Sequence, residues 1–236
     1  MEDATRLRVC GPLSVRPGAD FFDIHDSLEV MRTAYIGMGA NLASWAGLPE
    51  ATLAAAALRL ESLGRVTCRS SLYSTQPVGF AAQPRFVNAV VALETELEPH
   101  ELLNDLLAIE QAFGRDRTAG FPNGPRTLDL DILLFGDMRV SEEGLEIPHP
   151  RLAERAFVLV PLNEIAPQVM DAVAQKSVSQ LLDKLHGKAG NETDAVVSIQ
   201  SDGWRDGDGD GAGAGLAGPG DSERTISRDD DRHGGG

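Results

Sequence analysis

The chain has 236 residues, of which 42% are hydrophobic, enough for one ordinary domain or two small ones. Its formal net charge of −15 argues against broad, nonspecific nucleic-acid binding, which needs a basic surface. No run of about 18 apolar residues could span a membrane, and the N-terminus has no basic-then-apolar secretory pattern. Two cysteines, Cys10 and Cys68, are too few for a disulfide scaffold. These features favour a cytoplasmic protein in a reducing compartment.

The acidic charge and the glycines are concentrated at the ends of the chain. Residues 187–236 hold 11 acidic residues, 5 basic residues and 13 of the 25 glycines. Because such a segment has too little apolar surface to fold, we expect a disordered acidic tail. Residues 1–30 have a net charge of −3 and no clear period, which predicts an N-terminal extension or, alternatively, a true start at Met31. Residues 31–186 then form one folded domain.

The first half of this domain contains two predicted strands and a helix. A short apolar run ending in glycines is typical of a strand at Thr33–Ala40. Apolar residues at helical spacing predict a helix from Pro49 to Leu63, since proline suits a first helical turn. Val66–Tyr73 alternates and predicts a second strand. Two prolines and a glycine in Thr75–Arg85 predict a loop.

The second half repeats this pattern. Phe86–Thr95 predicts a third strand, and an apolar stripe predicts a second helix that begins at Pro99 and ends at Gly114. Arg115–Arg126 is irregular because it is rich in glycine and proline. Thr127–Phe135 predicts a fourth strand, in which apolar and acidic residues alternate.

The order strand, helix, strand, strand, helix, strand predicts a fold class. It is the ferredoxin-like βαββαβ arrangement, an α+β fold in which an antiparallel sheet carries helices on one face. The other face of such a sheet is free for a ligand. A C-terminal extension follows, with an apolar segment at Phe157–Ile165 and a weak terminal helix, and its packing is not predicted.

Strand Thr127–Phe135 carries the clearest chemical signal. Because side chains alternate along a strand, the apolar residues from Leu128 to Leu134 face the core. Asp129 and Asp131 face the other side, about 7 Å apart. Neighbouring carboxylates repel each other unless a cation lies between them, and magnesium binds carboxylates together with phosphate oxygens. The strand alone fits a magnesium–nucleotide site and a solvated polar face equally well.

Four arginines surround this strand in the sequence. Three precede it, Arg115, Arg117 and Arg126, and Arg155 follows it, close to His149. Arginines near two aspartates suit a polyphosphate held by metal and guanidinium groups together, under a loop that closes over it. Alternatively, the arginines form surface ion pairs with Asp116, Glu110 or the tail. The chain contains no Gly-x-x-x-x-Gly-Lys-Ser/Thr run, which excludes a P-loop.

Asn88 interrupts the apolar strand Phe86–Thr95. A buried asparagine can read a donor and an acceptor on a heterocycle, and Phe86, on the same face, can stack on a flat ring. The pattern alone favours the other interpretation, a structural amide that bonds loop backbone.

Separated motifs follow one another in a distinctive order. The most specific is the run GPRTLDLDI at Gly124–Ile132; the others are Ala34–Gly37, Gly39–Leu42, Tyr73–Pro77, Phe86–Ala89, Glu110, Gly114-Arg115, Pro148–Arg151 and Arg155–Phe157. With these motifs the chain resembles the 6-hydroxymethyl-7,8-dihydropterin pyrophosphokinases of the folate pathway. The resemblance extends from about Ala34 to Gln168, over half of the chain.

This resemblance implies transfer of pyrophosphate from ATP to the pterin hydroxymethyl group, leaving AMP. It implies two Mg²⁺ ions held by Asp129 and Asp131, and catalytic arginines at Arg115 and Arg126. The residues implied in ATP binding are Glu110, Arg117, Ile132, His149 and Arg155. The residues implied in pterin binding are Thr75, Val78, Phe86, Asn88 and Phe157, with the pterin between the two phenylalanine rings.

The implied partners are small molecules, ATP and the hydroxymethyl dihydropterin, with no nucleic acid, no membrane and a monomeric chain. The sequence departs from the family where Ala40 replaces a common serine, Gln76 a common proline and Asn123 a common tryptophan. The loop Arg117–Gly124 is also one residue longer than in some relatives, so the departures concern loop closure. Two other functions remain open: a different metal-dependent phosphotransferase or phosphohydrolase, and a non-enzymatic nucleic-acid-binding sheet.

Overall fold

The computed structural model describes residues 30–117, 124–188, 196–201, 203 and 204. The elements are, in chain order, β1 (Arg32–Ala40), α1 (Pro49–Leu60), β2 (Arg65–Arg69), β3 (Leu72–Thr75), β4 (Phe86–Thr95), α2 (Pro99–Ala112), β5 (Asp129–Phe135), β6 (Val140–Glu142), β7 (Leu145–Ile147), a 3₁₀ turn (Leu152–Glu154), α3 (Ala156–Ile165), β8 (Met170–Asp171), β9 (Lys176–Ser177), α4 (Val178–Lys188) and β10 (Val197–Ile199).

An antiparallel sheet forms the centre of the fold. Its order is β10-β3-β4-β1-β5, and β2 also pairs with β4. Ala40 at the end of β1 lies opposite Val87 near the start of β4. On the other edge of β1, Gly39 lies opposite Asp129 at the start of β5. The sheet therefore brings one end of three central strands together.

Helices cover both faces of this sheet. On one face, buried leucines of α1 and α2 pack against apolar residues of β1, β4 and β5: Leu53, Leu60, Leu102 and Leu106. On the other face, α3 and α4 contribute Leu159, Leu162 and Leu181, which pack against Tyr35 and Val90. The two helices of the predicted βαββαβ order, α1 and α2, therefore share one face as expected, whereas the second face is not free throughout, because the C-terminal extension, whose packing was not predicted, covers part of it.

The first helix is one turn shorter than predicted. After Leu60, the backbone N–H groups of Glu61, Ser62 and Leu63 each bond to the carbonyl three residues earlier, so the chain tightens into a turn. Gly64 then passes against β4 at a φ of +155°, where an added Cβ would lie 2.1 Å from the carbonyl oxygen of Glu94. Only glycine allows this approach.

The predicted strand Val66–Tyr73 is two strands, β2 and β3. Between them, Ser70 replaces one ladder bond with its side chain, because the Val90 N–H donates to Ser70 Oγ at 2.9 Å. Ser71 turns away and donates from its backbone N–H and its hydroxyl to the carboxylate of Glu164, each at 2.8 Å. Two adjacent serines thus break the ladder.

Strand β5 contains a bulge. Tyr35 pairs with Leu134 but Ile36 pairs with Ile132, so Leu133 is an extra residue. Leu130 and Ile132 pack under α1 and α2, whereas Leu133 and Leu134 pack under α3 and α4. The prediction that Leu134 faces the same core as Leu130 is therefore wrong, since the bulge interrupts the alternation.

Part of the predicted acidic tail is folded. β10 pairs with β3, and Trp204 is buried in the core with 2% exposure. This differs from the prediction of disorder throughout residues 187–236, and α4 also runs two residues past the predicted boundary at 186. The remainder of the tail and residues 1–29 lie outside the described residues.

In the described parts of the chain, no helix is long and apolar enough to cross a membrane.

Candidate active site

One cleft of about 520 Å³ collects most of the predicted site residues. It lies where β1 ends and β4 and β5 begin. Twelve of the predicted residues line it: Thr75, Val78, Phe86, Asn88, Arg115, Arg117, Arg126, Asp129, Asp131, His149, Arg155 and Phe157. Two do not. Glu110 is buried beneath the arginines, and Ile132 packs in the core under α1 and α2.

Two glycines of β1 form the part of the cleft beside the aspartates. Gly37 lies opposite Asp131, and Gly39 lies opposite Asp129. A Cβ added at Gly39 would lie 3.2 Å from Oδ1 of Asn88, and one at Gly37 would lie 3.1 Å from a methyl group of Leu133. Since neither position carries a side chain, the cleft reaches the backbone of β1.

The two aspartates have different electrostatic environments. Each oxygen of Asp129 accepts a hydrogen bond from an arginine: Oδ1 from Arg115, and Oδ2 from Arg126 at 2.7 Å. Burial, reinforced by the charge of Asp129, raises the pKa of Asp131 to about 6, although Arg155 opposes the rise. Among the described residues, none forms a hydrogen bond or salt bridge with the Asp131 carboxylate. A cation in the cleft would relieve this buried charge.

Glu110 connects α2 to the cleft arginines. Its Oε1 accepts hydrogen bonds from Arg115 Nη1 at 2.6 Å and from the Leu130 N–H at 2.8 Å. Its Oε2 accepts one from Arg117 Nη2 at 2.6 Å. Burial raises the pKa of Glu110, and these donors oppose the rise. Gly114 ends α2 at a φ of +83°, so the chain turns back and Arg115 reaches this carboxylate.

The alternative that these arginines pair with Glu110 is thus realised, but not as surface pairs. The Glu110 side chain is only 1% exposed, and that of Arg115 only 15% exposed. Glu110 therefore contacts two of the cleft arginines, and the role in ATP binding that the resemblance implied stays a prediction.

Arg126 is held by its backbone and by its side chain. Its backbone N–H donates to Oδ1 of Asn41 at 2.8 Å, and its guanidinium carbon lies 5.2 Å from the centre of the Phe86 ring. Asn41 donates from Nδ2 to Oε1 of Gln83 at 3.0 Å. One buried amide therefore ties Arg126 to the loop between β3 and β4.

His149 and Arg155 form the wall of the cleft near the start of α3. The backbone N–H of His149 donates to the carbonyl of Leu133 at 2.9 Å, which fixes the histidine against β5. Burial lowers the pKa of His149, and the charges of Arg155 and Arg151 lower it further. The guanidinium carbon of Arg155 lies 5.5 Å from the ring centre of Phe157. A neutral histidine beside two arginines fits an anionic ligand.

A second group of cleft-lining residues is uncharged. Asn88 donates from Nδ2 to Oγ1 of Thr75 at 2.7 Å, and both residues are buried. Phe86 and Phe157 line the same cleft from two elements, β4 and α3. This bond fits the structural interpretation of Asn88, and the residue also lines the cleft, with its Oδ1 beside Gly39.

Comparison with known proteins identifies the family. A sequence profile of the 7,8-dihydro-6-hydroxymethylpterin-pyrophosphokinase (HPPK) family matches residues 35–167, more than half of the chain. The chain belongs to this family. It is 44% identical to the 2-amino-4-hydroxy-6-hydroxymethyldihydropteridine pyrophosphokinase of Methylorubrum extorquens over 157 residues, 66% of this chain and 94% of the relative. The enzyme of the same name from Bacillus subtilis is 46% identical over 138 residues, 58% of this chain and 79% of the relative.

A solved structure from the HPPK family shares the fold. A Plasmodium falciparum HPPK-DHPS triple mutant matches 72% of this chain with a TM-score of 0.56 and 17% sequence identity. This chain spans about half, 47%, of that longer chain. The predicted resemblance is confirmed by the family match, and so is the prediction of an enzyme of the transferase class.

Several residues that line the cleft were not predicted as site residues: Gly37, Gly39, Gln76, Arg151, Glu154 and Val196. The motif Pro148–Arg151 already contained Arg151, and its spacing from His149 could have indicated it. Val196 was hidden in the segment assigned to the tail. The predicted departure at Asn123 lies outside the described residues.

Proposed function

We propose that this chain transfers pyrophosphate from ATP to 6-hydroxymethyl-7,8-dihydropterin and forms AMP and the pterin pyrophosphate, in folate biosynthesis. The observation that carries the proposal is one cleft with two groups of lining residues. Five arginines and two aspartates form the charged group, here called the charged or phosphate end, and a buried asparagine–threonine pair with two phenylalanines forms the other, here called the pterin end. The two groups meet where Arg126 and Arg155 lie over the phenylalanine rings. A polyphosphate and a flat heterocycle fit these two ends together.

The charged end suits a triphosphate. The Nε atoms of Arg126 and Arg155 are buried and have no hydrogen-bond partner among the described residues. Buried guanidinium donors without acceptors are costly, and phosphate oxygens would satisfy them. We assign Arg117, His149 and Arg155 to ATP binding, as the resemblance implied.

Asp129 and Asp131 are the residues that would hold Mg²⁺. Two carboxylates suffice because magnesium completes its shell with phosphate oxygens and water. The half-buried Asp131 carboxylate, which has no hydrogen-bond or salt-bridge partner among the described residues, fits such an ion. The bound metal would neutralise phosphate charge and orient the phosphates.

The other end suits the pterin. The Asn88 amide and the Thr75 hydroxyl present donors and acceptors to the edge of a heterocycle, and Phe86 and Phe157 present ring faces. Val78 lies on the loop beside them and is 57% exposed. Bound pterin would cover it.

The reaction we propose is attack by the pterin hydroxyl oxygen on the β-phosphorus of ATP. A bond forms between these two atoms, the bond from the β-phosphorus to the AMP oxygen breaks, and the hydroxyl proton is released. Arg115 and Arg126 stabilise the charge as AMP leaves, because Glu110 holds the Arg115 guanidinium and Asn41 holds the Arg126 backbone at the cleft. Phosphoryl transfer depends mainly on positioning and electrostatics.

Product analysis tests this function. We expect ATP, Mg²⁺ and 6-hydroxymethyl-7,8-dihydropterin to give AMP and pterin pyrophosphate in equal amounts by mass spectrometry. ADP or free phosphate as the product would support another phosphotransferase or a phosphohydrolase instead. A gel shift with nucleic acid at physiological salt would support the binding-protein alternative.

Three finer expectations accompany this function. We propose a monomeric, cytoplasmic enzyme with the ferredoxin-like arrangement. The antiparallel order of β3, β4, β1 and β5 and the helices that connect them support this arrangement. Sedimentation equilibrium would test the monomer.

A further inference from the structure

We propose that a C-terminal clasp, defined as Val196, β10 and Trp204, positions the pterin end of the cleft, and that Val196 helps to determine pterin affinity. This inference rests on the proposed function. The HPPK match ends at residue 167, so the clasp lies outside the matched region.

The clasp extends the sheet at the edge that carries Thr75. Val197 lies opposite Ser74, and Ile199 lies opposite Leu72, in an antiparallel pairing. Without β10, β3 would be a four-residue edge strand paired only with β4. Short edge strands are easily displaced, so β10 restricts the strand that ends at Thr75.

Trp204 anchors the clasp. Its side chain is buried, and Nε1 donates to the carbonyl oxygen of Ser70 at 2.7 Å. This carbonyl lies at the break between β2 and β3, where Val90 bonds to the Ser70 hydroxyl instead. The guanidinium carbon of Arg69 lies 5.8 Å from the tryptophan ring centre. Trp204 therefore satisfies a backbone acceptor that the broken ladder exposes.

Val196 brings the clasp to the cleft itself. It lines the same cleft as Thr75, Val78 and Asn88, and it packs against the apolar cluster beneath α3. Among the described residues, the strand pairing and the tryptophan hydrogen bond of the clasp are made to β3 and to Ser70 just before it, on the strand that carries Thr75. Its loss should therefore affect the pterin end more than the phosphate end.

The decisive comparison is Val196→Ala against Val197→Ala in the full chain. Val197 is the adjacent valine, 51% exposed and outside the cleft lining, so it is a matched control. We expect Val196→Ala to raise KM for 6-hydroxymethyl-7,8-dihydropterin about three- to tenfold, because buried methyl groups are lost, with KM for ATP changed less than about twofold. Equal pterin KM values in the two variants would overturn the inference.

Trp204→Phe tests the anchor, since it keeps an aromatic ring but removes the donor to Ser70. We expect a raised pterin KM, an ATP KM near that of the wild type and a lower Tm. Equal rises in both KM values would contradict the clasp and indicate general loosening. If Trp204→Phe does not fold, the Val196 comparison still decides. A wild-type chain that forms no AMP would contradict the proposed function itself, whereas normal AMP formation without the KM split would contradict only the clasp.

Discussion

Oδ2 of Asp129 accepts a hydrogen bond from Nη1 of Arg126 across 2.7 Å, while Oδ1 accepts one from Arg115. The carboxylate proposed to hold magnesium is thus already bound by both proposed catalytic arginines. A cation at Asp129 would compete with these donors for its oxygens. Metal binding would therefore free guanidinium groups to face the phosphates.

Removal of either aspartate charge should abolish turnover. Asp129→Asn and Asp131→Asn keep the side-chain shape but lose a carboxylate that magnesium ligation needs. We expect kcat to fall by at least about 10³-fold, because metal stabilisation of the transition state amounts to several kcal/mol. Steady-state kinetics measure this. Asp137→Asn is the control, since Asp137 is exposed on the turn after the same strand. Near-normal kcat in either cleft variant would contradict the metal assignment.

Arg126→Ala should lower kcat by about 10²-fold or more, as expected for loss of a preorganised charge donor. Arg139→Ala removes the same charge from an exposed position after β5 and should leave kcat unchanged. Single-turnover measurements at saturating substrates separate this effect from binding. An unchanged kcat in Arg126→Ala would remove Arg126 from catalysis.

Glu110→Gln should lower both stability and activity. The buried carboxylate accepts donors from Arg115, Arg117 and the Leu130 N–H, and an amide cannot accept all of them. We expect the free energy of unfolding in urea to fall by about 3 kcal/mol, since one partner of a buried ion pair is lost. Asp105→Asn removes an acidic charge from the same helix and should change the free energy of unfolding little. Equal unfolding midpoints for the two variants would show that the Glu110 network does not stabilise the fold.

His149 should make the protein less stable in mild acid. Burial and the nearby arginines lower the pKa of His149 in the folded state, whereas in the unfolded chain it is near 6.5. Below about pH 6.5 the unfolded chain therefore binds more protons than the folded chain. The free energy of unfolding then decreases as the pH is lowered, until the pH reaches the pKa of His149 in the folded state. Urea unfolding at pH 7 and pH 5.5 should show a smaller loss for His149→Gln than for the wild type.

The NMR titration of the His149 ring provides an independent check. Its midpoint should lie below 6.5, and Arg151→Gln should raise it because one of the depressing charges is removed. Asp131, with a pKa near 6, increases the stability as the pH is lowered, which is opposite to the effect of His149. This contribution is the same in the wild type and in His149→Gln, so it does not alter the difference between them. A midpoint at or above 6.5 would contradict the environment described for His149.

The sequence predicts the central sheet well where one pattern dominates. Phe86–Thr95 was predicted with the bounds of β4, and alternation in Thr127–Phe135 placed both aspartates on the cleft side. Alternation could not predict the extra residue at Leu133, because a bulge arises from pairing with β1. The break at Ser70 was equally hidden, since it depends on contacts with Val90 and Glu164.

Long-range contacts also explain the remaining errors. Two donors to Glu110, Arg115 and Arg117, follow it closely in the sequence, but its burial and its third donor, the Leu130 N–H, arise only when α2 packs on β5. Trp204 lies in a glycine- and aspartate-rich segment whose overall composition resembles disorder. The short run Val196–Ile199 was the one local signal of structure there. Average composition over 50 residues concealed it.

Gly37 and Gly39 limit how this enzyme could acquire new selectivity. Any side chain at Gly39 would meet the amide of Asn88, and any at Gly37 would meet Leu133. These two positions of the central strand thus offer no way to reshape the ligand space without displacing a neighbour. Variation in substrate or inhibitor preference is more readily obtained from β4, the surrounding loops, α3 and the C-terminal segment, which makes those parts the ones to randomise in a directed-evolution library.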